Sequence, residues 1–139
     1  MKEIISSLLS ALFGTAIGYI AAMRSTRYME QVTALTDFKR RLLDYIRRIE
    51  NGKGSGNSCL DTIQACMMDM KTDYLLCDST LNRRPAARLA KLWNEFYRDN
   101  DGSDLLEYWE EDASDVEPKR SKALKRVHRI ISFRIRIYE

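Results

Sequence analysis

Between Ile4 and Met23 the chain runs for twenty residues without a charge. A helix of that length spans about 30 Å, the thickness of a bilayer's hydrocarbon core, so the pattern predicts a single membrane crossing. Ser6, Ser7, Ser10, Thr15 and Tyr19 interrupt the run, but hydroxyls in a helix bond back to preceding carbonyls at little cost. No proline or glycine lies between Met23 and Glu50, where Tyr28, Val32, Leu35, Leu42, Ile46 and Ile49 fall three or four apart or at multiples of that step. The membrane helix is therefore expected to continue as an amphipathic one. Lys39 occupies the one broken position of this stripe, and Phe38 and Tyr45 widen it. A short, wide stripe suits a face packed on its own domain better than a coiled-coil seam. The segment Asn51 to Asn57, NGKGSGN, predicts a linker.

Beyond the linker, Ser58 and Asp61 read as a capping box, and Leu60, Ile63, Met67, Met70, Tyr74 and Cys77 repeat at helical spacing. A third helix is expected near Pro85, with Asn82 or a neighbour as cap and Leu89, Leu92, Trp93, Phe96 and Tyr97 turned inward. Asp99 to Ser103, DNDGS, predicts a turn before a short helix holding Leu105, Leu106, Tyr108 and Trp109. Pro118 opens a last helix with Leu124, Val127, Ile130 and Ile131 toward the core. From Ile131 onward Phe133, Ile135 and Ile137 alternate with polar residues as a strand would. Nothing else in the chain alternates, so this end is read as a fraying helix. The expectation is an all-α protein, with an anchor at 1–23 and a helical domain at 24–139.

Charge orients this arrangement. Lys2 stands on one side of the apolar run and Arg24, Arg27, Lys39, Arg40 and Arg41 on the other. The positive-inside bias then puts the N-terminus outside and the C-terminal domain in the cytoplasm of a single-pass cell-membrane protein. A cleaved signal peptide is the rival, but Glu3 follows Lys2 at once, and the helical pattern runs on into Arg24 and Arg27 without a turn signal. Cys59, Cys66 and Cys77 are odd in number and lack framework spacing, which suits reduced thiols in a cytosolic domain. Ser6, Ser10, Gly14, Gly18 and Ala22 recur every four residues, a small-residue stripe along which another membrane helix, including that of a second copy, could pack. The net charge of +3, with no basic run interleaved with aromatics, speaks against nucleic acid. From Asp99 to Glu117 there are nine acidic residues and no basic ones, and from Lys119 to Arg136 eight basic residues and no acid. Such segments pair with each other or face solvent, unless the basic helix meets anionic lipid or the acidic one a basic partner.

Chemistry is sparse. His128 sits among Lys125, Arg126 and Arg129 with no carboxylate or nucleophile adjacent to make a triad. The cysteine spacings are unlike those of zinc sites, and GKGSG at 52–56 lacks the order that wraps a phosphate. Met67 and Met70 fit core spacing better than an adaptable groove. One near-match is calcium: Asp99, Asp101, Ser103 and Glu110 occupy liganding positions of an EF-hand loop, although Asp104 stands where the turn wants glycine. No pair of carboxylates stands out by spacing for a hydrolase. No enzyme activity and no cofactor are expected.

In order, LFGTAIGYIAAMRSTRYMEQVTALTDFKRRLLDYIRRI resembles the start of the stage III sporulation protein AB family, and LWNEFYRDNDGSDLLEYWEED resembles that family's short tryptophan-centred helix. Gly18, Tyr19, Arg27, Leu35 and Trp109 carry the resemblance as membrane-helix, junction and core residues. Arg48 precedes Ile49 where the family has glutamate, and the basic C-terminal segment stands where the family usually has a second membrane helix. The resemblance implies a cytoplasmic bundle similar to the F component of type II secretion systems. It also implies a non-enzymatic role: docking other protein subunits of a channel complex between mother cell and forespore. Leu35, Trp93 and Trp109 are the expected core or partner-contact positions.

Overall fold

The computed structural model describes residues 2–51, 58–97 and 116–136, with side chains described from residues 10, 64 and 122 of those stretches onward. Four helices, and no strand, are present among the described residues: α1 (Lys2–Asn51), α2 (Ser58–Thr80), α3 (Arg83–Tyr97) and α4 (Val116–Ile131). The expected all-α class is observed.

With no glycine or proline after Gly18 to break it, α1 continues for 50 residues, about 75 Å at 1.5 Å per residue. Its C-terminal half lies along α2. Gln31 meets Asn82, whereas Arg41 and Tyr45 meet Asp73, so the two helices are antiparallel. Leu81 N–H donates to the carbonyls of Cys77 and Asp78, closing α2, and the Asn82 carbonyl accepts the first bond of α3 from Ala86. Pro85 sits in that first turn, where its missing N–H costs nothing. Then α3 and α4 pack against each other, also antiparallel: Arg88 meets Arg134 and Glu95 meets Arg129.

The core follows the apolar spacing. Leu35, Phe38, Leu42, Ile46 and Ile49 of α1 meet Met67, Met70, Tyr74 and Cys77 of α2 and Leu89, Trp93 and Phe96 of α3, and α4 closes it with Ala123, Val127 and Ile130. Trp93 is the hub. It stacks on Tyr74 at 4.5 Å and on Tyr97 at 4.8 Å, and it meets Phe38 and Phe96 edge-on. Offset-stacked and edge-to-face pairs of this kind add to the area that the rings bury. Met68, the methionine off core spacing, is exposed. Leu35 and Trp93 are core residues, as expected, and α1's stripe packs on its own domain.

The C-terminal end corrects the helical expectation. α4 stops at Ile131, Ser132 turns, and residues 133–136 are neither helix nor strand. Phe133 and Ile135 are buried while Ser132, Arg134 and Arg136 are exposed, so the alternation read from the sequence is real. Among the described residues no strand pairs with it. Side chains do that work instead: Lys39 Nζ donates to the Phe133 carbonyl, and Arg88 Nη2 donates to the Arg134 carbonyl at 3.3 Å while its guanidinium lies over the Phe133 ring. Lys39, the break in the stripe, is the residue that ties this tail to α1. Burial, reinforced by Arg134, holds its ammonium pKa below the ordinary lysine value.

The other half of α1 is exposed along its length, and it meets the bundle only near its base, where Arg27 reaches Asn82. From Ser10 to Arg27 every residue is exposed, and a Cβ added at Gly14 or Gly18 would meet no atom within 4 Å. Leu12, Phe13, Ile17, Tyr19, Ile20 and Met23 are each more than half exposed. Thr15 and Thr26 donate back to carbonyls of the preceding turn, as helical hydroxyls do. Among the described residues no helix is long and apolar enough to cross a membrane. The side chains of the first part of the Ile4–Met23 run lie outside that set.

Candidate functional site

The bundle has one end where everything meets. Because α2 and α4 both run back toward the point where α1 emerges, the α2–α3 turn and the C-terminal tail gather around Arg24 to Gln31. Gln31 is the pin: its Oε1 accepts from Asn82 N–H at 2.9 Å and its Nε2 donates to the Arg27 carbonyl at 3.3 Å. Arg27 Nε reaches Asn82 Oδ1 at 3.4 Å. A polar residue only 3% exposed on the apolar face is thus fully engaged, as a buried amide must be.

This neck encloses a groove of about 800 Å³. Arg24, Arg27 and Arg136 line it together with Tyr28, Asn82 and Ile135. Arginine presents a planar fork of donors suited to carboxylate or phosphate, so the lining favours an anion with an apolar portion.

A second polar cluster lies mid-bundle. The buried Asp73 of α2 accepts from Arg41 Nη1 at 2.8 Å and from Tyr45 OH at 2.7 Å, both from α1. Burial, then the bond to Asp73 and its charge, raises the Tyr45 pKa to about 12, so its phenol is a fixed donor. One turn on, burial and then the charge of Asp78 push the Cys77 thiol up to about 12. A thiol so held is protonated near neutrality and a poor nucleophile. Cys66 is likewise buried, with its pKa raised first by burial. The cluster clamps two helices; its chemistry is structural.

The small-residue positions Ser10, Gly14, Gly18 and Ala22 lie on the exposed arm, with open space beside Gly14 and Gly18 among the described residues. His128 is exposed on α4, with Ser132 Oγ 3.4 Å from its Nε2. Trp109, Cys59, the Ser58–Asp61 capping pair and the calcium-loop residues Asp99, Asp101, Ser103 and Glu110 lie outside the described residues or side chains. Among the described residues no three His, Cys, Asp or Glu side chains gather as a metal site would need. Gln31, Asp73 and Asn82 were not singled out from the sequence as site residues. The signal was present, because Gln31 precedes Leu35 and Phe38 at core spacing and Asp73 follows Met70 by three.

No protein-family model matches the chain, and neither a curated protein nor a solved structure matches it.

Proposed function

We propose that this chain is a single-pass, membrane-anchored docking protein without enzymatic activity. The N-terminal half of α1 holds it in the cell membrane, and the bundle faces the cytoplasm. One observation carries the reading: residues 10–27 continue a packed helix as an arm exposed on every side, with large apolar side chains bare along it. A helix without a charge from Ser10 to Met23, its apolar side chains left bare by the described residues, is costly in water and at home in lipid. Arg24 and Arg27 at its inner end fit cytoplasmic placement of the bundle. Gly14 and Gly18, open on their face, suit close approach of a second membrane helix.

The sequence resemblance to the stage III sporulation protein AB family supplies the setting, a secretion-like complex whose subunits dock on an F-like bundle. Recruitment is the mechanism. A C-terminal fluorescent fusion of the full chain, imaged through starvation and sporulation and paired with carbonate extraction of membranes, tests both parts. Fluorescence around the developing forespore in the carbonate-resistant fraction is expected. A uniform ring in growing cells would overturn the sporulation setting, and release by carbonate would overturn the anchor.

A further inference from the structure

We infer that the neck groove binds the phosphate of an anionic phospholipid, with Arg24 and Arg27 as its principal donors. The inference rests on the anchor reading and goes beyond it by assigning the lipid class and the residues. Met23 is the last residue of the uncharged run and Arg24 the next, so the groove opens where that run ends, at the level where headgroups lie. Its volume of about 800 Å³ is large enough for a polar headgroup with part of its glycerol.

Its lining divides accordingly. Arg24, Arg27 and Arg136 supply cationic forks, while Tyr28 and Ile135 supply apolar surface for the glycerol and first methylenes. Only the fold assembles these groups, from α1, the α2–α3 turn and the tail more than a hundred residues away in sequence. The same topology brings Arg83 and Arg84, exposed beside Asn82, and the exposed Arg134 to this end of the bundle. Among the described residues the acids of that end are the exposed Glu30 and the half-buried Asp78, fewer than the arginines gathered there. Phosphate oxygens would face Arg24 and Arg27, and the acyl chains would run along the bare apolar side of the arm. Each basic residue close to an anionic surface strengthens binding about fivefold.

The test uses the full chain in neutral detergent, titrated by calorimetry with short-chain phosphatidylglycerol, short-chain phosphatidylcholine and inorganic phosphate. Saturable binding of phosphatidylglycerol, with phosphatidylcholine and inorganic phosphate much weaker, is expected. Arg24→Gln and Arg27→Gln should each weaken phosphatidylglycerol about fivefold, Arg27→Lys should recover part of the loss, and Arg47→Gln, away from the groove, should change nothing. Circular dichroism checks that each variant keeps its helices. Equal affinity for the two lipids, or wild-type affinity in both glutamine variants, would overturn the proposal. Inorganic phosphate binding as tightly as phosphatidylglycerol would overturn it in favour of a free anion. Flotation with pure phosphatidylcholine vesicles reads the anchor separately: a chain that floats without lipid preference loses the groove proposal alone, and one that fails to float loses the anchor.

Discussion

The two halves of α1 share one helix, and one is packed while the other is bare. From Tyr28 to Ile49 a stripe of side chains is buried against α2 and α3, whereas from Ser10 to Arg27 nothing is buried at all. Helix continuity is indifferent to this, since the backbone bonds are the same in both. Side-chain chemistry makes the difference. The packed half mixes apolar residues at core spacing with charges on its outer face, while the bare half carries no charge before Arg24. Backbone and packing are therefore set separately: one sequence feature keeps the helix unbroken, and another decides which of its faces pack.

The sharpest way to break this contrast is to empty the core. Trp93→Ala removes the ring on which Tyr74, Tyr97, Phe38 and Phe96 all pack, and should cost about 3–5 kcal/mol of bundle stability in urea denaturation. Ile17→Ala, in the arm, should change the same measurement by less than about 0.5 kcal/mol, because its side chain touches nothing in the bundle. A comparable loss from both would mean that the arm packs on the bundle after all. Next in size, Asp73→Ala leaves the Tyr45 hydroxyl and the Arg41 guanidinium without their shared acceptor and should cost about 1–3 kcal/mol, read in the same way.

Alkali should act on the packed bundle. Burial first raises Cys77 from 9.0 to about 12, and likewise Tyr45 and Tyr74 from 10.0 to about 12. Each stays protonated in the fold where the unfolded chain has already ionised, so the folded state binds more protons between those values. Their contribution is whole below about pH 9 and is lost as pH rises toward 12. Lys39, lowered by burial, works in the opposite sense just below its ordinary 10.5, one group against five, since burial raises Cys66 and Tyr97 as well. Denaturation midpoints should therefore fall from pH 9 upward, and Cys77→Ala should flatten the early part of that fall. The smallest effect belongs to the exposed pair Arg40–Asp37, 3.3 Å apart: Arg40→Ala should move the midpoint by less than about 0.5 kcal/mol.

Much of the architecture was legible in residue spacing. The unbroken α1, the turn before Pro85, the inward Trp93 and Phe96 and the packing of α1 on its own domain all follow from apolar period and punctuation. The tail was not legible as a conformation. Its two-residue alternation resembles a strand's, but Lys39 and Arg88, distant in sequence, donate to the Phe133 and Arg134 carbonyls as a neighbouring strand would. The neck is hidden in the sequence for a related reason. Gln31 stands at core spacing and Asn82 as a helix cap, but antiparallel packing is what brings them within 2.9 Å of each other.

By itself the sequence determined which segments are helical and which faces are apolar, because both depend on neighbours within one or two turns. Tertiary structure alone decided which polar groups meet: Asp73 with Arg41 and Tyr45, Lys39 with the tail, and Arg24 and Arg27 with Arg136 around one groove. Hydrogen bonds and charge clusters are short-ranged, so they exist only where the chain's return path brings distant residues together.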